Sequence, residues 1–187
     1  MIERLHVFDQ KLFLYLNAWH AEWLNPYMVF LSGQIVWLPL LAFLLWTAFN
    51  RLDKKAFAVF SLFLLIGVIA SDVTSSYLLK NIVQRLRPCR LAELKPLLNN
   101  FGQKCGGRFG FVSSHAANSF FLLMFSFIAL KLSSWRFHVL WLVVALVGYS
   151  RVYLGVHYPG DIIGGIVVGG VWALVLGKLF SLRRQTI

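Results

Sequence analysis

Long stretches without a formal charge dominate the pattern of the chain. One of them runs over 23 residues, from Tyr27 to Phe49, without an Asp, Glu, Lys or Arg. Because a helix needs roughly 20 apolar residues to cross the hydrocarbon core of a bilayer, this stretch predicts a transmembrane helix. The chain has five such apolar stretches in all, which cover residues 27–49, 56–79, 109–130, 137–150 and 162–177. The pattern predicts about five transmembrane helices, of which the third begins just after His115.

The first 25 residues have a different pattern, in which apolar side chains recur every three or four positions. These side chains are Leu5, Phe8, Leu12, Leu16, Trp19 and Trp23. The spacing puts them on one face of a helix, while polar residues such as Asp9 fall elsewhere. We therefore predict an amphipathic helix over residues 1–25 that lies in the membrane interface and ends at Asn25-Pro26.

The composition agrees with a membrane-embedded protein. Hydrophobic residues make up 59% of the chain, charged residues only 13%, and the mean hydropathy is +0.71. An ordinary soluble domain has about 25% charged residues, and a disordered chain has low hydrophobicity, so both classes are excluded. We expect an all-α integral membrane helix bundle that forms one domain over residues 1–187.

The net charge narrows the choice of partner. The chain has 18 Lys and Arg residues against 7 Asp and Glu residues, which leaves +11. In a soluble chain this excess would indicate nucleic acid. In a chain this apolar, the positive charge favours two partners: the anionic surface formed by membrane lipids, and a phosphorylated lipid as substrate. We expect no nucleic-acid partner. The sequence does not indicate the oligomeric state.

Basic residues in the short loops predict the orientation in the membrane. Lys and Arg accumulate on the cytoplasmic side, and one set of loops and ends holds Arg51, Lys54, Lys55, Lys131, Arg136, Arg183 and Arg184. Residues 80–115 and 150–161 then face the periplasm or exterior of a bacterial-type inner membrane. However, this outer side also holds Lys80, Arg85, Arg87, Arg90, Lys95, Lys104 and Arg108. Either the topology is inverted or these charges serve another purpose, and we favour the second interpretation.

The two cysteines of the chain support an outer location for this loop. Cys89 and Cys105 are separated by 15 residues, and disulfides persist in oxidising compartments such as the periplasm. A bridge that closes a loop of this size would stabilise the fold by roughly 3 kcal/mol. The alternative is two unpaired thiols. We predict no metal site, because the chain has no second cysteine pair and no close histidine cluster.

Three clusters on the same side could carry chemistry, and the first is basic. Lys80 and Arg87 lie seven residues apart, which is two turns on one helical face, and Pro88 favours a helix end at Arg87. A lysine and an arginine that converge at a helix end can clamp an oxyanion. The alternative is interfacial anchoring by side chains that reach the lipid headgroups.

The second cluster opens the third apolar stretch with the sequence Val112-Ser113-Ser114-His115. Hydroxyl groups and backbone N–H groups at a helix N-terminus favour an anion. His115 could act there as a general acid. The alternative is a helix cap followed by an interfacial histidine.

The third cluster contains Arg151, His157 and Asp161. An aspartate four residues after a histidine can accept a hydrogen bond from one ring nitrogen, which leaves the other nitrogen as a nucleophile. The alternative is an aspartate that only stabilises a helix N-terminus. Together, the three clusters describe a phosphate site with a nucleophile, an acid and an orienting carboxylate.

With these motifs the chain resembles the type 2 phosphatidic acid phosphatase family, which is related to bacterial acid phosphatases and vanadium haloperoxidases. The family's first motif is Lys, six residues, Arg-Pro, and residues 80–88 match it. Its third motif is Ser-Arg, five residues, His, three residues, Asp, and residues 150–161 match it. Its second motif is Pro-Ser-Gly-His, from which this chain departs at Val112 and Ser114.

The resemblance implies a mechanism without metal or cofactor. His157 would attack phosphorus and form a phosphohistidine, Asp161 would orient it, and His115 would protonate the departing oxygen. The phosphate oxygens would be held by Lys80, Arg87, Ser113, the Ser114 N–H and Arg151. The expected substrate is a cell-envelope lipid phosphomonoester or diphosphate. Candidates are undecaprenyl diphosphate, phosphatidylglycerophosphate, phosphatidic acid and lipid A 1-phosphate.

Two other functions remain open at the level of the sequence. The same phosphoenzyme could pass its phosphate to a lipid or sugar, as a phosphotransferase does. A non-enzymatic anion transporter or membrane-binding protein could also use the basic pocket. Asp72, which we expect to be buried in the second apolar stretch, supports a transporter because intramembrane acids often mark ion paths. Its alternative role is a polar contact to a neighbouring helix or to an arginine near the site.

Overall fold

The computed structural model describes residues 2–33, 35–98 and 105–185, and the regular elements in these ranges are all helical. The main helices are α1 (Ile2–Ala18), α2 (Asn25–Ser32), α3 (Trp37–Arg51), α4 (Lys54–Asp72), α5 (Lys80–Val83), α6 (Ser114–Leu130), α7 (Trp135–Tyr153) and α8 (Pro159–Arg184). A π-helical segment, Val73–Leu79, joins α4 to α5, and 3₁₀ turns occupy Glu22–Leu24, Pro88–Arg90 and Lys95–Leu97. The all-α prediction is confirmed. Lys104, one of the basic residues of the outer loop, lies outside the described residues.

Within the described ranges, two helices are long and apolar enough to cross a membrane alone. They are Lys54–Val83 and Pro159–Arg184, and the pair Glu22–Ser32 and Trp37–Arg51 adds a third span if the two are one bent helix. Ser114–Leu130 and Phe137–Tyr153 are apolar but shorter. A helix therefore occupies each predicted apolar stretch, while the count of five spans stays a prediction.

Helix α1 ends earlier than the sequence pattern indicates. It stops at Ala18, and Asn25-Pro26 begins α2 instead of ending α1, because proline is well suited to the first turn of a helix. The inward side of α1 holds Phe13, which is fully buried, and Asn17, whose side chain donates hydrogen bonds to the carbonyls of Val152 (3.1 Å) and Tyr153 (2.7 Å). The apolar stripe, including Leu5, Phe8, Trp19 and Trp23, is exposed on the other side. Its interfacial location stays a prediction.

Helices α6 and α8 pack closely through glycine. A side-chain carbon at Gly165 would overlap the Ser113 carbonyl, and one at Gly169 would overlap the Ala117 carbonyl. This contact lies within one chain. It brings the N-termini of α6 and α8 together, so that the Ser113 N–H donates to the Asp161 carbonyl (2.9 Å).

The loop between α5 and α6 folds back on itself beside these two helix ends. Cys89 and Cys105 form a disulfide with their Cα atoms 5.9 Å apart, as the sequence predicts. The Gly110 N–H donates to the Arg85 carbonyl (2.8 Å), and the Arg87 N–H donates to the Arg108 carbonyl (3.4 Å). These contacts hold Arg87 against the bundle.

Candidate active site

The three sequence clusters converge at one end of the bundle. Lys80, Arg87 and Arg151 come from α5, the following loop and α7, and the charges of all three act on His157. The same three cations, and the ring of His157, lie close enough to act electrostatically on His115. Both histidines therefore lie in one electropositive site.

His157 and Asp161 form a buried pair. The imidazole Nδ1 lies 3.2 Å from Asp161 Oδ2, and the two residues are 1% and 0% exposed. Because an ionised carboxylate can only accept hydrogen bonds, this contact puts the imidazole proton on Nδ1 and leaves the Nε2 lone pair available. Burial, together with the charges of Arg87, Arg151 and Lys80, lowers the pKa of His157 well below its ordinary value. The ring is therefore neutral at pH 7.

Asp161 also has a structural role, so both sequence interpretations apply to it. Its Oδ2 accepts a hydrogen bond from the Tyr158 N–H (3.0 Å), which closes a capping box at the start of α8. This contact fixes the carboxylate that orients His157. One carboxylate thus both caps α8 and contacts the His157 ring.

Arg87 is 8% exposed, and its Nε donates to the Phe109 carbonyl (3.1 Å). Burial lowers the pKa of Arg87, although a guanidinium remains protonated at neutral pH. Lys80 begins the first motif, and its side chain makes no hydrogen bond or ion pair with any residue in the described ranges. Its ammonium group is therefore available to an anion.

Part of the Arg151 guanidinium makes structural hydrogen bonds. One of its terminal nitrogens donates to the Ser32 carbonyl (3.0 Å) and to the Ser32 hydroxyl, which ties α7 to the end of α2. Its Nε is buried without a partner among the described residues. Such a group is costly unless a ligand satisfies it.

Ser113 and Ser114 have different positions. Ser113 is fully buried and caps α6, because its hydroxyl accepts from the Ala116 N–H (3.5 Å). Its side chain thus takes the capping role that the sequence left as an alternative. The N–H groups of Ser114 and His115 lie in the first turn of α6, where no intrahelical carbonyl can pair with them. They form the anion-binding end of this helix.

Asp72 is exposed on a cavity beside His115, and the expectation that it is buried is wrong. Its carboxylate accepts from the Asn118 amide on α6 (3.1 Å) and from the Ser76 hydroxyl (3.3 Å). The alternative prediction, a polar contact to a neighbouring helix, is confirmed. Asp72 is exposed because a cavity opens beside it between α3, α4 and α6.

Arg85 is a site residue that the sequence reasoning missed, since it was counted only among the basic residues of the loop. One terminal nitrogen lies 3.0 Å from Asp161 Oδ1 and 2.7 Å from Asp9 Oδ2. Its guanidinium lies over the Tyr158 ring at 3.9 Å. Its position inside the first motif was the available signal, but its partners lie far away in the chain.

Gly110 was missed as well. A side-chain carbon at this position would lie 2.9 Å from Asp161 Oδ2 and 3.3 Å from the Arg87 side chain. Only glycine lets the loop backbone approach the His157–Asp161 pair this closely. A glycine before an apolar residue gives no distinctive signal in the sequence.

Comparisons with known proteins connect this site to a family and to solved structures. The PAP2 superfamily matches residues 60–185. A lipid A 4'-phosphatase of Bacteroides thetaiotaomicron is 34% identical over 176 residues, which cover 91% of this chain and 76% of that protein. An undecaprenyl-diphosphatase of Sulfolobus acidocaldarius is 31% identical and covers 87% and 73% of the two chains.

Two solved structures have the same fold. A PAP2-type phosphatidylglycerolphosphate phosphatase of Bacillus subtilis superposes with a TM-score of 0.69 at 20% identity, over 96% of this chain and 87% of that one. LpxE of Aquifex aeolicus superposes with a TM-score of 0.69 at 22% identity, over 90% and 94%. At these identities the likeness concerns the arrangement of the helices.

Proposed function

Because this chain belongs to the PAP2 superfamily and is a membrane lipid phosphatase like its relatives, we propose that it hydrolyses a cell-envelope lipid phosphate through a phosphohistidine. The observation that carries the proposal is the buried His157–Asp161 pair, which faces three cations beside a second histidine. A neutral imidazole oriented by a carboxylate is a good nucleophile.

In the first step, His157 Nε2 forms a bond to phosphorus while the bond from phosphorus to the leaving oxygen breaks. His115, in its protonated form, donates its proton to that oxygen, so a phosphomonoester releases its lipid as a neutral alcohol and a diphosphate releases a lipid monophosphate. Asp161 stabilises the positive imidazole that forms during attack. The products of this step are the dephosphorylated lipid and phosphohistidine at position 157.

In the second step, water attacks the phosphohistidine. His115, now neutral, accepts a proton from this water, as the reverse of its first role requires. The bond from nitrogen to phosphorus breaks, inorganic phosphate leaves, and His157 returns to its starting form. Both histidines are then ready for another cycle.

The charge of the transition state is held by the surrounding donors. We assign this role to Lys80, Arg87, Arg151 and the first-turn N–H groups of α6. Fixed donors aimed at the equatorial oxygens lower the barrier to phosphoryl transfer. Side chains and backbone N–H groups of the chain provide the entire set in this proposal, so turnover requires no metal ion.

The membrane arrangement is part of the proposal. Five helices span a bacterial-type inner membrane, and the site faces the periplasm, where the Cys89–Cys105 bridge is stable. The names of the relatives support lipid A and prenyl diphosphates as substrate classes. A lipid can keep its chains in the bilayer while its phosphate enters the polar site.

The decisive experiment compares His157→Ala with His138→Ala in purified protein. His138 is exposed on α7, so its replacement should leave phosphate release near the wild-type rate. We expect His157→Ala to lower the rate by at least about a thousandfold, because no covalent intermediate can form. Phosphate release by His157→Ala at a rate near wild type would overturn the assignment, as would activity that is lost on adding a chelator.

A further inference from the structure

A cavity of about 500 Å³ opens beside His115, between α3, α4 and α6. Its wall is mostly apolar, with side chains such as Trp37 and Leu122, and the Trp37 ring lies 6.1 Å from the His115 ring. Pockets of this size accept small headgroups. The cavity is therefore a place where part of a substrate can lie next to His115.

Polar groups interrupt this apolar wall at one place. Asp72, Ser76 and Asn118 all line the cavity, and the carboxylate of Asp72 accepts hydrogen bonds from the other two. No cation in the described ranges lies within ion-pair distance of Asp72. Asp72 is exposed at this wall, and a carboxylate has about four acceptor positions, so it can accept further hydrogen bonds from a ligand in the cavity.

Asn118 provides a second, independent indication. Its Nδ2 donates to Asp72, while its Oδ1 is buried and has no partner among the described residues. The orientation of the amide is determined by the carboxylate, which can only accept. The cavity wall thus offers acceptors, from Asp72 and Asn118, and a negative charge. Asp72 also begins the π-helical segment Val73–Leu79, and such segments are frequent at functional sites.

We propose that this cavity binds the leaving group of the substrate, and that this group is a hydroxyl- or amide-bearing headgroup such as a sugar. The inference rests on the proposed function, in which His115 protonates the leaving oxygen and the leaving group therefore lies on the His115 side. Asp72 and Asn118 accept hydrogen bonds from it. The substrate is then a phosphomonoester of a glycolipid.

The same wall disfavours other lipid phosphates. The leaving group of a prenyl diphosphate is itself a phosphate, and its charge would lie next to Asp72, where like charges repel. The leaving group of phosphatidic acid is a diacylglycerol oxygen with no further donor, so the acceptors of the wall would stay unpaired. A site built from hydrogen-bonding groups rejects a ligand that leaves them unpaired.

The test measures kcat/KM for three probes: an acylated glucosamine phosphomonoester, phosphatidic acid and farnesyl diphosphate. Wild-type protein should prefer the glucosamine probe over farnesyl diphosphate by about tenfold or more, since a hydrogen bond to a charged group is worth about that factor. Asp72→Asn should reduce this preference about tenfold. Glu93→Gln, which removes an exposed carboxylate from the loop, should retain the wild-type preference. Asn118→Ala serves as a second variant should Asp72→Asn fail to fold.

The outcomes separate the inference from the function on which it rests. Hydrolysis of none of the three probes would contradict the proposed function. Hydrolysis with the same preference in wild type and Asp72→Asn would overturn the leaving-group site while the function stands. An equal loss on every probe would also overturn it, because Asp72 would then act on catalysis and not on the headgroup.

Discussion

At the scale of single residues, the charge state of His157 governs the chemistry. Its Nδ1 is held by Asp161 at 3.2 Å, and burial beside three cations lowers its pKa. The cations favour the neutral ring, and the carboxylate stabilises the positive charge that develops only during attack. In the proposed mechanism the residue is thus a nucleophile at rest and a stabilised cation in the transition state.

This lowered pKa predicts the pH dependence. His157 must be neutral to attack, so on the acidic side of the profile activity should fall only when the pH drops well below about 6.5, the ordinary histidine value. We expect the acidic limb of kcat/KM to lie below that pH once the ionisation of the substrate phosphate, titrated separately, has been divided out. An acidic limb that remains at or above about 6.5 would contradict a depressed pKa for this ring.

Arg85 influences the His157–Asp161 pair through its ion pair with Asp161. In Arg85→Met the aliphatic stem is retained and the charge is lost, so Asp161 loses a donor and kcat should fall about tenfold. The acidic limb should move to higher pH, because removal of a nearby positive charge favours protonated His157. Lys95→Met, on an exposed loop residue, is the control. A lower kcat with an unmoved limb would indicate a purely structural role.

At the scale of elements, the contact between α6 and α8 decides where the site forms. Gly165 and Gly169 let the two helices approach until the Ser113 N–H meets the Asp161 carbonyl. The second and third motifs each start one of these helices. Their distance therefore depends on glycine positions that lie deeper in the bundle.

Two neighbouring glycines of α8 provide a matched test of this contact. A side-chain carbon at Gly169 would overlap the Ala117 carbonyl, whereas one at Gly170 meets only the Phe120 ring at 3.4 Å. Gly169→Ala should destabilise the fold by about 1–3 kcal/mol, because the helices must separate, and Gly170→Ala should be nearly neutral. Thermal unfolding in detergent measures both, and equal unfolding temperatures for the two variants would refute the close contact.

The structure of the N-terminal helix differs more from the sequence prediction than that of the other described helices. Leu5 and Phe8 of its predicted apolar stripe are exposed, whereas Phe13 is fully buried against Tyr158. Polar residues hold the helix to the protein as well. Asp9 binds Arg85 (2.7 Å) and the Gly160 N–H (2.8 Å). This helix therefore supports the start of α8 and the His157–Asp161 pair, in addition to any contact with lipid.

At the scale of the whole molecule, one end of the bundle holds the charged site and the other holds the basic loops. Helix α6 begins at the site with Ser114 and ends at Leu130, next to the loop that contains Lys131. The disulfide loop is at the site end. If the site faces the periplasm, these two loops lie on opposite sides of the membrane.

The orientation predicts a labelling pattern in whole cells. In a Cys89→Ser/Cys105→Ser background, Glu93→Cys should react with a membrane-impermeant maleimide once the outer envelope is permeabilised. Ser133→Cys should react only after the inner membrane is broken. Both positions are exposed, so accessibility across the membrane is the variable. The reverse pattern would establish the inverted topology, which is the alternative explanation for the many basic residues in the outer loop.

The sequence by itself determined the helices and predicted most of the residues that the structure brings together at the candidate site. Apolar runs and helical spacing are local properties, and His157 and Asp161 pair across four residues, so the chain order alone indicates the contact. The three motifs likewise contained both histidines and the three cations that the structure brings together.

Only the tertiary structure decided the contacts between distant segments. Arg85 meets Asp161, 76 positions away along the chain, and Asp72 meets Asn118, 46 positions away. No local pattern encodes such pairs, because they depend on how the helices pack and on the π-helical turn after Asp72. The polar contacts of α1 and the cavity beside His115 exist for the same reason: they form between elements, where close packing chooses the neighbours.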